Sequence, residues 1–266
     1  MSFFDRAQLA EASYTLFEYL GGDFSDEDVA DILQEPERGG SFSQTQAEEF
    51  INTWRVISHT KNTSNGFSAT LFQSKETGKY IYATRGTEPG NAWSDIVETD
   101  IADIVLDGLA INQIVDMYND WQYLNAEAAA SYQVAQLSLL LGETAALAAA
   151  RLTTPIGTSD YELALRARSD IIIDMPTGMV YTIEFVESQE YYDDHRALGS
   201  GVLHGQQVEL DVTGHSLGGH LAAAFTRLFP ETGAEATTIN GAGFATELIE
   251  GLDQYRQRVW HARWCG

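Results

Sequence analysis

Hydrophobic residues recur at helical spacing through the first part of the chain. Residues 6–20 carry apolar side chains at intervals of three and four and predict an amphipathic helix. Ser25, with Asp28 three residues later, is typical of a helix start, and Ser43 or Thr45 would cap a third helix in the same way. The apolar stripe of that third helix would consist of Phe50, Ile51, Trp54 and Ile57.

Two stretches have the apolar and β-branched composition of β-hairpins. The first, residues 66–88, reverses direction near Glu76–Gly78, and the second, residues 169–188, turns at Pro176–Gly178. Between them, residues 126–151 have the composition of a long helix. The middle of the chain therefore predicts two antiparallel strand pairs on either side of a helix.

The last part of the chain alternates strands with helices. The pattern predicts three strands separated by two helices, over residues 207–213, 218–229, 236–240, 245–252 and 256–262. Such alternation is typical of a parallel sheet, to which the first hairpin would add antiparallel strands at one edge. We therefore expect one α/β domain over residues 1–266, with a mixed, mostly parallel sheet flanked by helices.

Charge is the unusual feature of the composition. The chain is 44% hydrophobic and 20% charged, as globular domains are, but its 15 Lys and Arg face 39 Asp and Glu and give a net charge of −24. Such a surface repels the phosphates of nucleic acids and anionic membranes, so we expect no nucleic acid partner. It suits a protein in a salty or extracellular medium, and equally an ordinary acidic soluble protein.

The sequence also limits redox chemistry and targeting. Cys265 is the only cysteine, so the chain can form neither an internal disulfide nor a cysteine metal cluster. Residues 1–20 lack the basic start, apolar core and small-residue cleavage site of a signal peptide. No run approaches the ~18 apolar residues of a membrane helix. We expect a cytoplasmic protein, or one secreted by a signal that this chain does not contain.

A Gly-His-Ser-Leu-Gly pattern at residues 214–218 stands between a predicted strand and a predicted helix. An unactivated serine is a poor nucleophile, and a sharp strand-to-helix turn exposes its hydroxyl above the sheet. Gly214 and Gly218 would let backbone segments approach without a Cβ clash, and the helix N-terminus would stabilise a developing oxyanion. The bare pattern also arises by chance in glycine turns, but both flanks favour Ser216 as a nucleophile.

Two motifs resemble one enzyme family. VTGHSLGGHLAA, residues 212–223, resembles the nucleophile elbow of α/β-hydrolase lipases, particularly the class 3 (fungal-type) lipases and related secreted bacterial lipases. YIYATRGTEPGNAWSDIVETDIADI, residues 80–104, resembles their Phe-Arg-Gly-Thr/Ser loop and the Asn-Trp-x-x-Asp-like stretch after it. Ala83-Thr84 departs from the aromatic or apolar pair that is usual there. The resemblance covers residues 67–125 and 205–262.

The resemblance implies an α/β-hydrolase fold and roles for three residues. Ser216 would be the nucleophile, and Thr87 and the Leu217 N–H would bind the oxyanion. Residues 91–125 would form a helical lid over the cleft, although a plain amphipathic helix pair packed on the sheet is an alternative. Residues 152–205 match no part of the family and would be a hairpin insertion. Aspartates of the lid could bind calcium, but a solvated acidic face is favoured and no cofactor is expected.

A serine hydrolase of this fold also needs an acid and then a histidine after the serine. The chain offers four candidates, none with the expected placement: Asp253, His261, His195 and His204. The two histidines that flank the elbow, His215 and His220, are more consistent with structural roles. Because a further strand–helix unit of ~30 residues would be needed, we expect the last strand–helix units to be missing. An edge strand left exposed in this way would favour self-association.

The sequence therefore predicts a carboxylic-ester hydrolase, a lipase or esterase, that forms an acyl-enzyme on Ser216. Its partners would be an ester or lipid substrate and, transiently, a lipid interface. A thioesterase or a polyester depolymerase would use the same residues. A hypothesis from another class is a catalytically impaired relic of the fold that binds lipid or a protein partner.

Overall fold

The computed structural model describes residues 1–86, 110–140, 171–173 and 180–241. The helices in these ranges are α1 (Phe3–Ala12), α2 (Asp26–Ile32), α3 (Gln44–Thr53), α4 (Ile111–Asn125), α5 (Ser188–Tyr191) and α6 (Leu217–Leu228). The strands are β1 (Trp54–Thr60), β2 (Ala69–Ser74), β3 (Tyr80–Thr84), β4 (Gln133–Leu140), β5 (Ile171–Ile173), β6 (Val180–Glu187), β7 (Leu210–His215) and β8 (Glu235–Ile239). Short 3-10 turns cover Phe17–Leu20, Pro36–Arg38, His195–Ala197 and Pro230–Thr232.

The central sheet has the strand order β1-β2-β3-β7-β8 among the described strands. β1, β2 and β3 are antiparallel neighbours, whereas β3 pairs with β7, and β7 with β8, in parallel. Tyr82 lies opposite Val212, and Val212 opposite Ala236. The predicted mixed sheet, with the first hairpin at one edge and parallel strands at the other, is confirmed, and half of the described pairings in this sheet are parallel.

Helices cover both faces of this sheet. Because neighbouring residues of a strand point to opposite faces, Phe72 and Ile81 pack with α1, α2 and α3, whereas Leu71 and Tyr82 pack with α4 and α6. The aromatic centre of the second face is a cluster in which the Trp121 ring meets the Phe225 ring edge-on at 4.9 Å. The result is a mixed α/β structure of three layers, whose parallel strands β3, β7 and β8 end on one side.

Local signals placed the starts of α2 and α3 correctly. The Ser25 hydroxyl accepts a hydrogen bond from the backbone N–H of Asp28 at 3.2 Å, and Ser43 caps α3 together with Gln46. The hairpin β2–β3 turns between Ser74 and Tyr80, as expected.

One predicted helix is wrong. Within the predicted helix 126–151, residues 133–140 form β4, which pairs antiparallel with β6, and β6 pairs with β5 as the second predicted hairpin requires. Ala135 and Ile183 of this three-stranded sheet join the core under α4 and α6. The Asn119 side-chain amide also donates to the Ala135 carbonyl at 2.9 Å and accepts from the Ala135 N–H at 2.7 Å. Long-range pairing thus overrides the helix propensity of an Ala- and Leu-rich stretch.

Two other predicted helices are shorter than expected. The helix predicted over residues 6–20 ends at Ala12, where the Ser13 hydroxyl donates to the Ala10 carbonyl at 2.7 Å. The third helix ends at Thr53, and Trp54 begins β1, which pairs with β2. The β-branched residues that follow Trp54 favour a strand, and their pairing completes one edge of the described sheet.

Several predictions lie outside the described residues. They concern the first part of the lid (91–109), the start of the insertion (152–170), the helix at 245–252 and the strand at 256–262. The strand predicted after β8 therefore stays a prediction. Within the part of the chain that is described, no helix is both long and apolar enough to cross a membrane.

Candidate active site

Ser216 occupies a sharp turn between β7 and α6. β7 ends at His215 and α6 begins at Leu217, so Ser216 alone joins them, with φ 54° and ψ −123°. A positive φ is uncommon for a residue with a Cβ and costs about 1–3 kcal/mol. The turn is held by a hydrogen bond of 3.0 Å from the Ser216 N–H to the Ile239 carbonyl, and by the Gly219 N–H, which donates to the Ser216 carbonyl at 2.9 Å.

The glycines on either side of Ser216 are required by contact. A Cβ on Gly214 would lie 2.3 Å from the carbonyl of Gly218, and a Cβ on Gly218 would lie 2.2 Å from the carbonyl oxygen of Thr84. The end of β3 and the start of α6 therefore touch through their backbones. The steric role predicted for both glycines is confirmed.

The Ser216 hydroxyl has no partner among the described residues. The residue is half-buried, and its hydroxyl makes no capping hydrogen bond to α6 and no hydrogen bond to any other residue in the described ranges. The Leu217 N–H, the first of α6, likewise donates to no carbonyl among those residues. A helix N-terminus carries partial positive charge, so this N–H is placed to stabilise an oxyanion formed at Ser216.

Thr84 joins the two halves of the turn. Its buried hydroxyl lies 2.6 Å from the Gly218 carbonyl and 3.3 Å from the Thr213 carbonyl, so it ties the end of β3 to β7 and to α6. In the sequence, Thr84 stood out only as a departure from the family pattern. The structure shows a positioning role that an apolar residue could not fill in the same way.

Arg85 and Gly86, the first two residues of the Arg-Gly-Thr motif, lie next to the elbow. Arg85 is buried, and a Cβ on Gly86 would lie 2.4 Å from both the His215 carbonyl oxygen and the Tyr14 hydroxyl. Thr87, the proposed oxyanion donor, lies outside the described residues, so its role stays a prediction. Gly86, the residue before Thr87, lies against the backbone of His215, the residue before Ser216.

Tyr14 fixes the histidine that precedes the nucleophile. Its hydroxyl lies 3.1 Å from Nδ1 of His215, and it reaches the elbow from the turn that follows α1. The structural role predicted for His215 agrees with this contact, and His220 is fully buried in α6. Sequence reasoning missed Tyr14, because no local pattern links it to a residue 201 positions away.

The candidate histidines before the elbow lie away from Ser216. The His195 ring meets the Tyr123 ring edge-on at 6.0 Å, and His204 Nδ1 lies 3.2 Å from the Asn125 carbonyl oxygen. Both sit at the C-terminal end of α4, and His204 precedes the start of β7, whereas Ser216 follows its end. The six residues of β7 span roughly 17 Å, so the structure does not bring these two histidines to the nucleophile. Asp253 and His261 lie outside the described residues.

Sequence reasoning missed an acid–base pair between buried His59 of β1 and partly exposed Glu18 of the first 3-10 turn. His59 is bonded through Nδ1 to the Thr70 hydroxyl at 2.8 Å and through Nε2 to Glu18 at 3.0 Å. Burial opposes ionisation of Glu18, but the bond with His59 and the nearby charge of Arg85 together hold the pKa of Glu18 below its ordinary value. Because both ring nitrogens are already hydrogen-bonded to Thr70 and Glu18, we assign His59 a structural role.

The second half of the predicted lid is a core helix. Residues 111–125 form α4, whose Asp120 accepts hydrogen bonds from the Tyr82 hydroxyl, at 2.5 Å, and from Thr60. Burial raises the pKa of Asp120, although these hydrogen bonds act in the opposite direction. This part of the segment thus follows the alternative of a helix packed on the sheet. No group of side chains that could hold a metal ion occurs among the described residues.

No protein-family model, no curated protein and no solved structure matches the chain. Function therefore has to be inferred from the geometry at Ser216 and from the chemistry of the residues around it.

Proposed function

We propose that the chain is a serine carboxylic-ester hydrolase of the α/β-hydrolase type, with Ser216 as its nucleophile. The observation that carries the proposal is the conformation of Ser216, a positive-φ residue at the junction of β7 and α6 whose hydroxyl bonds to no other described residue. Such strain persists only where packing over-determines it, and it recurs at active sites. The resemblance of the elbow and of the Arg-Gly-Thr loop to class 3 lipases gives the reaction class.

The proposed chemistry is acyl transfer in two steps. Ser216 Oγ attacks the ester carbonyl carbon while a histidine accepts its proton, and the tetrahedral oxyanion is bound by the Leu217 N–H and by Thr87. The alcohol leaves with a proton returned by the histidine, and water then hydrolyses the acyl-enzyme. Loss of one oxyanion donor would cost about 3–4 kcal/mol of transition-state stabilisation.

His261 is the candidate base within this chain. Of the six histidines, five are described, and no hydrogen bond joins the ring of any of the five to the Ser216 hydroxyl. A second candidate function follows from the same observation. If no histidine reaches Ser216, the chain is an impaired relic of the fold that binds a lipid or a protein partner.

Covalent labelling with a fluorophosphonate separates the two functions. We expect the whole chain to be labelled at Ser216, and Ser216→Ala to lose the label completely. Ser64→Ala is the matched control, because Ser64 is exposed and lies in the turn between β1 and β2. Undiminished labelling of Ser216→Ala would refute the assignment, and a folded but unlabelled parent chain would favour the non-catalytic function. Hydrolysis of short and long p-nitrophenyl esters, thioesters and polyester films then distinguishes esterase, lipase, thioesterase and depolymerase.

A further inference from the structure

A cavity of about 480 Å³ lies at the C-terminal end of α4. Tyr118, in its wall, stacks on Phe229 with 5.7 Å between ring centres and 13° between planes. Phe229 follows the last residue of α6, whereas Ser216 precedes the first, and a 12-residue helix is roughly 18 Å long. The cavity therefore lies at the opposite end of α6 from the proposed ester site. Its volume falls within the usual range for small-molecule sites.

The loop between α4 and β4 forms one wall, and its backbone is strained. Ala129 has φ 61°, a conformation that costs a residue with a Cβ about 1–2 kcal/mol. Three backbone hydrogen bonds hold the loop against residues 199–201: Ala129 N–H to Gly199 O at 3.1 Å, Gly199 N–H to Ala130 O at 2.8 Å, and Gly201 N–H to Ala126 O at 3.1 Å. A strained loop that is fixed in this way and lines a cavity is typical of a preorganised ligand site.

His204 lines the cavity and carries an acceptor that has no partner in the described ranges. Its Nδ1 lies 3.2 Å from the carbonyl oxygen of Asn125, and a carbonyl oxygen can only accept, so Nδ1 carries the hydrogen. In the neutral ring Nε2 is then an acceptor, and no side chain or backbone group in the described ranges donates to it.

Glu127 provides a second acceptor on the same wall. It lines the cavity, is exposed, and makes no hydrogen bond or ion pair through its side chain with another described residue. The described residues that line the cavity include no lysine and no arginine. A phosphate or carboxylate ligand would therefore meet uncompensated negative charge, and a ligand that donates hydrogen bonds is favoured.

The remaining wall combines aromatic rings with polar side chains. Tyr118, Tyr132 and Phe185 offer apolar surface, and Asn125 and Ser131 bring amide and hydroxyl groups among them. The Asn125 amide already donates to the Trp121 carbonyl and the Ser131 hydroxyl to Glu187, so what these side chains offer a ligand is their acceptor oxygens. An apolar face beside such acceptors matches the C–H and O–H faces of a sugar ring. An organic cation would also be attracted to Glu127 and the rings, but a quaternary ammonium has no hydrogen to donate to Nε2 of His204.

We propose that this cavity binds a neutral carbohydrate, whose hydroxyl groups donate to Glu127 and to Nε2 of His204 while its apolar face packs on the aromatic rings. The site is independent of the ester chemistry at Ser216.

The test is titration of the whole chain with maltose, cellobiose and N,N′-diacetylchitobiose, followed by saturation-transfer NMR and calorimetry. At least one disaccharide should bind, and Glu127→Gln and His204→Phe should each weaken binding by about tenfold, the loss expected for one hydrogen bond to a strong acceptor. Glu37→Gln is the matched control, because Glu37 is equally exposed and lies in the 3-10 turn that follows α2. Ser216→Ala should keep the full affinity.

Three outcomes would overturn the proposal. The first is that neither a disaccharide nor choline binds. The second is that choline binds while no sugar does, which would assign the cavity to cations. The third is sugar binding that survives both Glu127→Gln and His204→Phe unchanged, which would place the sugar elsewhere. Both positions are exposed, so the variants are expected to fold, and circular dichroism checks this.

Discussion

Gly218→Ala tests the contact on which the elbow geometry depends. The new Cβ would lie 2.2 Å from the carbonyl oxygen of Thr84, whereas ordinary contacts begin near 3.4 Å, so the two backbones must separate by about 1 Å. Two effects oppose each other. Alanine is favoured over glycine in a helix by about 1 kcal/mol, but overpacking that backbone must absorb costs about 1–3 kcal/mol.

We expect the steric effect to exceed the propensity effect, because Thr84 is fixed by its own hydrogen bonds to Thr213 and Gly218 and cannot rotate away. The difference between the two effects is a loss of up to about 2 kcal/mol of unfolding free energy. A displacement of about 1 Å at the oxyanion site should also slow fluorophosphonate labelling by about 100-fold.

Gly78→Ala controls for the loss of stability. Gly78 has φ +73° in the β2–β3 turn, and a Cβ added there would meet no atom within 4 Å, so alanine costs about 1–2 kcal/mol without touching the elbow. Urea unfolding and labelling rate are measured on both variants. A Gly218→Ala protein that is as stable as the parent and labels at the parent rate would refute the contact between β3 and α6.

Two further variants test the surroundings of the elbow. Tyr14→Phe should lower kcat for ester hydrolysis by about 3- to 10-fold with little change in KM, because it removes one hydrogen bond that positions His215; a change in KM alone would contradict that role. Asp211→Asn should destabilise the chain by about 1–3 kcal/mol at pH 7, because Asp211 accepts from Arg6 at 2.7 Å and Lys79 at 3.0 Å. Burial opposes ionisation of Asp211, but these two cations hold its pKa below the ordinary value. Its contribution to the free energy of unfolding is therefore present above pH ~3.9 and is lost as the pH falls through the folded-state pKa. Parent and variant unfolding curves should therefore converge in acid, and a gap that stays constant from pH 7 to pH 2 would exclude this ion pair as the cause.

Features that depend on neighbouring residues could be predicted from the sequence. The caps at Ser25 and Ser43, the β2–β3 hairpin and the β7–α6 turn are each set by short runs of consecutive residues. The two steric requirements at Gly214 and Gly218 belong to the same class, since the turn itself creates them.

Features that depend on distant residues could not be predicted. β4 is a strand because β6, about 50 residues later, supplies its hydrogen bonds, and nothing in the Ala- and Leu-rich stretch indicates that partner. The contact of Tyr14 with His215 and the commitment of His59 to Glu18 are likewise created by the fold. The carbohydrate cavity combines α4, a strained loop, β6 and His204, which come from separate parts of the chain.

Backbone strain links the two proposed sites. Among the described residues, three without the freedom of glycine have a positive φ: Ala129, Ser216 and Asn240. Ser216 is the proposed nucleophile, and Asn240 follows the Ile239 carbonyl that accepts the Ser216 N–H. Ala129 lies in the loop that lines the cavity at the other end of α6. Because each such residue lowers stability, and because packing holds each in place, strain confined to these two ends favours a functional site at both.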